Sequence, residues 1–400
     1  MPDPRIIFVN RVYWPSTAAT AQLLTDLAEG LAPRLRDWTV HVIAAGEAST
    51  RHHGVTIHRT GTPEQHGGLL SRALNHRRFL RAARQQLAAL VRPGDIVVAM
   101  TDPPMLGAAV AREAAERGAQ VVHWVQDIYP EIAAVHFGPL AGFFFSPLKA
   151  GRDSAWRTAR ACVTLGEDMA GFIASRGVPA GRISCIPNWA PRELQAPVTP
   201  AALEARRAQW GLAGKFVVAY SGNLGRVHEF ATILQTAEQL RANPAIVFLF
   251  IGRGARFDEI SSTARSRGLG NIRLLPPEPR ENLAASLAAA DAQLVTLRPE
   301  YASLVYPSKL AGALAAGRPV LFVGPTGGDI ARLLQRDDCG VPFAPSDAAG
   351  LAAAITRWQS DVGLRTRLGT NARAAYERHF TGEASLARWE ELLRTGRSAP

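Results

Sequence analysis

Three short polar segments in the second half of the chain have residue types that bind phosphate groups. The first is residues 221–226 (SGNLGR), in which Gly222 and Gly225 follow an apolar run and Arg226 comes last. Glycine lets a turn pass close to a ligand, and a guanidinium can donate two hydrogen bonds to phosphate oxygens. A tight turn with an exposed arginine would have the same sequence, so this segment alone leaves both interpretations open.

Two further segments have the same character. Residues 252–254 (GRG) follow the next apolar run, and residues 307–309 (PSK) precede a helix of Ala, Leu and Gly. Proline suits the first turn of a helix, where the free N–H groups and the Lys309 ammonium can bind an anion. A surface lysine at a helix start is the plain alternative for this segment. Three such segments at one edge of a parallel sheet favour a diphosphate site.

These segments lie between strand-like apolar runs that alternate with helical patterns along the chain. The runs of the first series are residues 5–10, 40–45, 95–100 and 120–125, and those of the second are 216–222, 245–252, 271–275 and 319–324. The alternation predicts parallel strands joined by crossover helices. We therefore predict an α/β protein with two Rossmann-like domains facing across a central cleft.

A proline-rich segment at residues 187–200 separates the two series and has the composition of a linker. A chain of 400 residues is also too long for one hydrophobic core. We predict a first domain at 1–190, a second domain that binds the diphosphate at 191–370, and a terminal helix at 371–400 that packs back toward the first domain.

The composition indicates the expected compartment and the expected kind of partner. The three cysteines are far apart in the sequence, and an apolar run begins at residue 5, so we expect no disulfide, no signal peptide and a cytoplasmic location. The 45 basic and 34 acidic residues give a net charge of +11, which favours an anionic partner. The basic residues do not alternate with aromatic ones, so we do not expect nucleic acid to be that partner.

The order of the motifs SGNLGR, IGRG and VYPSKLAGALAAGRPVLFVG resembles the donor-binding half of the GT-B retaining glycosyltransferases. Family 4 enzymes that build bacterial capsule, O-antigen and exopolysaccharide are the most similar, and FVNRVYWPSTAATAQLLTDLAEGL and HWVQDIYPE resemble their first half. The resemblance implies transfer of a sugar from a nucleoside diphosphate sugar to a lipid-linked glycan. UDP is the expected nucleotide and an N-acetylated hexosamine one candidate sugar, with no cofactor and no metal ion.

The resemblance also implies roles for residues of the second half. Arg226 and Lys309 would neutralise the leaving diphosphate. The other residues expected to bind the donor are Gly222, Asn223, Gly225, Glu229, Gly252, Arg253, Leu275, Pro276, Glu300, Leu304, Val305 and Ser308.

The sequence departs from the family pattern at two places. The family's two glutamates, eight positions apart, fall on Leu304 and Gly312 here, and Glu300 is a nearby carboxylate that could substitute. A lysine usual shortly after the arginine is replaced by His228 or Glu229, and Glu229 would then face the donor sugar.

In the first half, the resemblance adds Gln126, Asp127 and Glu131 to the catalytic residues. A histidine is usual where Gln126 stands, so contact with the sugar is expected from Gln126 but not general-base catalysis. Either carboxylate could orient an acceptor hydroxyl; equally, Asp127 could cap the next turn and Glu131 could be solvated. On the acceptor side we expect Tyr13, Trp14 and Thr20, although Trp14 could equally be a packing residue.

Two segments predict peripheral docking on the inner face of the cytoplasmic membrane. Helical spacing in residues 69–91 groups Arg77, Arg78, Arg81 and Arg84 on one side and apolar residues on the other. The second segment, residues 139–160, contains the apolar side chains Phe143 and Phe144 and the basic residue Lys149. A basic amphipathic helix can lie on an anionic membrane surface, although a core-packed helix with a solvated basic face has the same pattern.

Two other classes of function remain open from the sequence. A nucleotide-sugar epimerase of the same broad fold would need an acid and a base in the cleft, for which Asp127 and Glu131 are the candidates. A nucleic-acid-binding protein would use the net positive charge, but no nucleic-acid motif is present.

Overall fold

The computed structural model describes residues 4–64, 68–196 and 198–397, and the chain divides into two compact units. The first unit consists of Met1–Pro187, Ser303–Tyr306 and Glu383–Pro400, and the second of Asn188–Ala302 and Pro307–Gly382. Pro197 of the predicted linker and residues 398–400 of the predicted terminal helix lie outside the described residues.

The first unit contains an eight-stranded sheet with helices in its connections. Its elements in chain order are β1 (Arg5–Val9), α1 (Ala19–Leu31), β2 (Thr39–Ala44), β3 (Thr50–His52), β4 (Val55–Arg59), α2 (Leu69–Leu90), β5 (Ile96–Ala99), α3 (Leu106–Ala115), β6 (Gln120–Trp124), α4 (Glu131–Phe137), α5 (Pro139–Phe144), α6 (Ser146–Thr158), β7 (Ala161–Thr164), α7 (Glu167–Ser175) and β8 (Ile183–Cys185). The strand order is β3-β4-β2-β1-β5-β6-β7-β8, and every pair is parallel except β3 with β4.

The second unit contains a six-stranded parallel sheet. Its elements are α8 (Pro200–Gln209), β9 (Phe216–Ser221), α9 (Ala231–Gln239), β10 (Ile246–Ile251), α10 (Phe257–Ser266), β11 (Ile272–Leu275), α11 (Leu283–Ala288), β12 (Ala292–Thr296), α12 (Lys309–Ala315), β13 (Val320–Val323), α13 (Asp329–Arg336), β14 (Gly340–Phe343), α14 (Ala348–Ser360) and α15 (Val362–His379). The strand order is β11-β10-β9-β12-β13-β14.

The second sheet is covered on both faces, which explains its continuous apolar strands. All six residues of β10 are buried. Alternate side chains of a strand point to opposite faces, so Phe248 and Phe250 belong to one hydrophobic cluster while Val247 and Leu249 belong to another. Strands buried on both faces have no polar alternation, as expected for a parallel sheet between helices.

The last helix, α16 (Gly382–Thr395), completes the core of the first unit. Its Trp389 is fully buried and meets the ring of Trp124 edge to face, with the ring centroids 5.0 Å apart. A Cβ atom at Gly30 of α1 would lie 2.6 Å from Leu386 Cδ2, so glycine allows α1 and α16 to pack closely. The end of the chain therefore contributes buried surface to a sheet that begins at residue 5.

We expect Trp389→Ala to lower the free energy of unfolding of the first unit by about 3–5 kcal/mol, because it leaves a large cavity beside Trp124. Urea unfolding followed by far-ultraviolet circular dichroism would measure the change. Glu391→Ala, at an exposed position of the same helix, should change the free energy by less than about 0.5 kcal/mol. Equal effects of the two substitutions would contradict the role given to Trp389.

Candidate functional site

The three glycine- and lysine-containing segments lie together at the carboxyl edge of the second sheet. Strands β9 and β10 pair with Ser221 opposite Ile251, so the residues that follow them, Gly222 and Gly252, are neighbours. A Cβ atom at Gly252 would lie 2.0 Å from the Gly222 carbonyl oxygen, and one at Gly222 would lie 2.8 Å from Lys309 Cε. Both glycines have positive φ, +129° and +150°, which also favours glycine. The site therefore has backbone on two sides and a cation on the third.

Lys309, the first residue of α12, provides that cation. Its Nζ lies 3.1 Å from His228 Nε2 and 5.2 Å from the centre of the Tyr220 ring. Among the described residues, no carboxylate forms an ion pair with Lys309. Burial lowers the pKa of Lys309 to about 8. A desolvated ammonium without a counter-charge favours binding of an anion.

His228 holds the lysine in place as a neutral imidazole. Its Nδ1 lies 2.8 Å from the Thr296 carbonyl oxygen, which can only accept, so Nδ1 carries the hydrogen and Nε2 accepts from Lys309. Burial, followed by the Lys309 charge, lowers the pKa of His228 to about 3. The sequence placed His228 only at a position where the family has a lysine. The sequence does not show that His228 bonds to the Thr296 carbonyl in β12, 68 residues away.

Further polar residues lie on the same two turns or next to Lys309 in the sequence. Arg226, Arg253, Asn223 and Ser308 are exposed, while Gly225 is partly buried. Leu275 ends β11 on the same edge, where its carbonyl accepts from Gly252 N at 3.0 Å, and Pro276 follows it. The positive side chains Arg226 and Arg253 thus come from the same turns as the two glycines.

Two predicted carboxylates already have partners. Glu229 Oε1 accepts from the Thr232 amide at 2.8 Å and from its hydroxyl at 3.0 Å, which caps the start of α9. Glu300 forms a salt bridge with Arg298. A Cβ atom at Gly312 would lie 3.4 Å from a methyl group of Leu287, so this position faces an apolar neighbour.

Leu304 and Val305 belong to the first unit, whereas the other residues predicted to bind the donor belong to the second. Leu304 is buried, and its carbonyl accepts from the Ile128 amide at 2.9 Å. Val305 forms an isolated antiparallel bridge with Asp127. Residues 303–306 therefore pair with the loop after β6.

Asp127 lies in that loop, next to the buried Gln126. Burial, followed by the charge of Asp102, raises the pKa of Asp127 to about 6. Its amide lies 3.4 Å from Thr101 Oγ1, and its carboxylate has no ion-pair partner among the described residues. Asp127 can therefore accept a hydrogen bond at neutral pH.

Glu131 has a different environment. Arg152 donates to both of its carboxylate oxygens, and the Nη2–Oε1 distance is 3.0 Å. Arg152 also donates to the Tyr129 carbonyl at 2.7 Å and lies 4.3 Å from the Trp156 ring centre. This buried pair fixes α4 to α6. Nothing in the sequence distinguishes Arg152 from the other basic residues of the chain.

The residues predicted on the acceptor side are in three environments. Tyr13 is fully buried, and its hydroxyl has no hydrogen-bond partner in the described part of the chain. Trp14 is partly buried and stacks on His52, with the ring centroids 3.9 Å apart. Thr20 is partly buried in the first turn of α1.

The two segments predicted to contact a membrane differ in the kind of side chain that they expose. Helix α2 buries Phe79, Ala83 and Leu87 in the core. Its four predicted basic residues, Arg77, Arg78, Arg81 and Arg84, are exposed. The apolar surface lies on α4–α6 instead, where Phe137, Phe143 and Phe144 are 70%, 77% and 76% exposed. Lys149 of α6 is partly buried. None of the helices in the described ranges is long and apolar enough to span a membrane.

Both halves of the chain match known protein families. Residues 204–375 match the family described as Glycosyl transferases group 1, and residues 19–189 match the Glycosyl transferase 4-like domain. The chain is 28% identical over 331 residues to the probable glycosyltransferase WbjE of Pseudomonas aeruginosa, covering 82% of this chain and 81% of that protein. It is also 28% identical over 194 residues to the putative colanic acid biosynthesis glycosyl transferase WcaI of Escherichia coli K12, covering 48% and 47%.

Solved structures resemble the whole chain. HepE of Anabaena, crystallised in complex with UDP, matches with a TM-score of 0.74 at 18% identity, over 98% of this chain and 100% of that one. Sucrose-phosphate synthase of Thermosynechococcus elongatus matches with a TM-score of 0.78 at 19% identity, over 98% of both chains. These likenesses confirm the predicted fold class.

The lowered pKa of Lys309 gives a testable pH dependence. The charged ammonium binds an anion, so a bound diphosphate raises this pKa and affinity falls as pH rises above about 8. Isothermal titration of pyrophosphate into the protein and into Lys309→Met would measure both affinities between pH 6 and 9. We expect the ratio of the wild-type affinity to the Lys309→Met affinity to be nearly constant up to pH 7. Between pH 8 and 9 this ratio should fall roughly fivefold.

Using the ratio cancels the ionisation of pyrophosphate itself. A ratio that stays flat across the whole range would show that Lys309 either remains charged throughout or does not contact the ligand, and would contradict the prediction.

Proposed function

The chain is a glycosyltransferase of the GT-B, family 4-like type, and we propose that it transfers a sugar from a UDP-sugar to a lipid-linked glycan. The anomeric configuration would be retained, with no metal ion at the diphosphate. The observation that carries the proposal is the convergence of Gly222, Gly252 and Lys309 at one sheet edge. UDP is favoured because the structurally similar HepE was crystallised with UDP and with UDP-glucose.

The diphosphate would lie against the two glycine turns. Without side chains at Gly222 and Gly252, the two turns and Lys309 can pack closely together. The phosphate oxygens would be bound by the Lys309 ammonium and the Arg226 guanidinium. As the bond between the sugar and the β-phosphate breaks, its electron pair passes to the phosphate oxygen, and Lys309 and Arg226 stabilise that charge. These two cations would supply the stabilisation that Mg²⁺ provides in other enzymes.

The acceptor would be oriented by the first unit. Asp127, whose pKa is raised to about 6, would accept a hydrogen bond from the acceptor hydroxyl at neutral pH. Gln126 would contact the transferred sugar. We give Glu131 a positioning role, since Arg152 occupies both of its oxygens. The same pairing counts against an epimerase, because it leaves Asp127 as the one free carboxylate of the two candidates.

A thermal-shift panel without metal ions tests the donor site. UDP, GDP and ADP would be added to the wild type, Arg226→Ala, Lys309→Ala and the control Arg241→Ala, an exposed arginine of the same unit. A ligand at 100 times its dissociation constant stabilises a protein by about 2.7 kcal/mol. We expect the largest shift with UDP, its retention in Arg241→Ala, and at least a tenfold weaker affinity in the other two variants.

Equal shifts with all three nucleotides would reject UDP as the donor nucleotide. Shifts unaffected by both substitutions would reject the site itself.

The lipid-linked acceptor implies that the protein docks on a membrane. The exposed aromatic side chains of α4–α6, Phe137, Phe143 and Phe144, have the character of an interfacial anchor. The exposed arginines of α2 would add attraction to an anionic surface. We propose that these two parts of the first unit contact the inner face of the cytoplasmic membrane, one through burial of apolar surface and the other through charge.

Flotation with vesicles of anionic lipid tests this docking. We expect Phe143→Ser combined with Phe144→Ser to reduce the bound fraction strongly at any salt concentration. Arg77→Gln combined with Arg81→Gln should weaken binding mainly at low salt, because salt screens charge. Val362→Ser, which replaces an exposed apolar residue of the second unit, is the control. Wild-type protein that fails to float even at low salt would contradict the proposal.

A further inference from the structure

The hairpin formed by β3 and β4 has an unusual residue in its turn. His53 and Gly54 connect the strands with φ angles of +44° and +84°. A two-residue turn with both φ angles positive favours Asn, Asp or Gly at its first position. Histidine is not among these preferred residues, but it is one of the non-glycine types enriched at positive φ, so the backbone tolerates it here.

The side chain of His53 is directed at Glu29 of α1. Glu29 Oε2 lies 3.0 Å from His53 Nδ1, and Glu29 Oε1 lies 2.7 Å from His52 Nδ1. The Glu29 side chain is only 13% exposed, and within the described residues it has no arginine or lysine partner. It also lies in the last turn of α1, where the helix dipole disfavours a negative charge. A buried carboxylate in this position would be stabilised by a cation.

We propose that Glu29, His52 and His53 form a binding site for a divalent transition-metal ion of the zinc class. Their ligand atoms all lie within 4.8 Å of one another, the one such group found in the described ranges of the chain. Two imidazole nitrogens and one carboxylate oxygen, with a fourth position open to water, form a common zinc ligand set. Magnesium and calcium prefer oxygen ligands and fit this set poorly.

Binding of the ion would require the two imidazole rings to rotate. The His52 and His53 rings are now stacked, with centroids 4.1 Å apart and an interplanar angle of 16°, and their Nδ1 lone pairs would have to converge on one point. Tetrahedral ligands about 2.0–2.1 Å from zinc lie roughly 3.4 Å apart, so the Glu29–His contacts of 2.7 and 3.0 Å would lengthen by about 0.7 and 0.4 Å. Each Nδ1 would present its lone pair to the ion instead of a hydrogen to Glu29, and its hydrogen would move to Nε2.

The residues around the site connect it to the loop after β1. Trp14 stacks on His52 with an interplanar angle of 21°. The hydroxyl of Tyr13 is buried without a hydrogen-bond partner in the described part of the chain, and burial, followed by the Glu29 charge, raises the pKa of Tyr13. An ion held by Glu29 would fix the hairpin to α1 and order Trp14. The site is separate from the diphosphate chemistry and does not depend on the proposed function.

Zinc binding is tested on protein without a polyhistidine tag after treatment with a chelator. Competition with a chromophoric chelator would give the stoichiometry and affinity for Zn²⁺. We expect one equivalent in the wild type and at least a tenfold loss of affinity in Glu29→Gln and in His53→Asn. Asparagine tolerates the positive φ of position 53, so His53→Asn should keep the hairpin. Mg²⁺ should not compete.

A nearby histidine pair supplies the matched control. His41 Nδ1 lies 3.0 Å from His58 Nε2, without a carboxylate ligand, so His58→Asn should keep the full affinity. Cobalt substitution gives a second readout, since tetrahedral Co²⁺ has intense visible absorption that His53→Asn should remove. Loss of binding in His58→Asn but not in His53→Asn would overturn the proposal. Failure of the wild type to bind Zn²⁺ would do the same.

Discussion

The candidate donor site depends on one interaction, the contact between the Lys309 ammonium and a neutral His228. A buried cation is costly unless something compensates for its lost hydration. Here the imidazole accepts one hydrogen bond and the Tyr220 ring contributes a weaker attraction, but no carboxylate among the described residues neutralises the charge. In the proposed function, the bound diphosphate neutralises this charge. A carboxylate partner in place of His228 would hold the lysine equally well and weaken its attraction for phosphate.

The two glycines beside Lys309 are explained by the close packing of this side chain and the neighbouring turns. Lys309 can pack beside the turns after β9 and β10 only because positions 222 and 252 carry no side chains. A methyl group at position 252 would overlap the Gly222 carbonyl, and one at position 222 would contact Lys309. These glycines could be predicted from the sequence, because each directly follows an apolar strand, and parallel strands bring their carboxyl ends to one edge. The alternation that predicts the fold therefore also predicts where three distant segments meet.

Contacts between distant residues could not be predicted in this way. The role of His228 depends on a carbonyl in β12, and that of Arg152 on Glu131 in another helix. Periodicity identified the two faces of α2 but not what its apolar face covers. In the structure that face packs in the core, and the exposed aromatic surface belongs to α4–α6. A pattern of apolar residues gives the orientation of a helix, whereas its partner depends on the whole fold.

The two carboxylates that the sequence could not distinguish are distinguished by their surroundings. Arg152 donates to both oxygens of Glu131, so that side chain is engaged in holding α4 and α6. Asp127 has no such partner among the described residues, and burial together with Asp102 raises its pKa to about 6. At neutral pH most of it is ionised and can accept a hydrogen bond from a hydroxyl. In the proposed retaining reaction the departing phosphate oxygen gains the electron pair of the broken bond on the side from which the acceptor hydroxyl attacks. The acceptor proton passes to that oxygen as the new bond to the sugar forms, and Asp127 orients the hydroxyl.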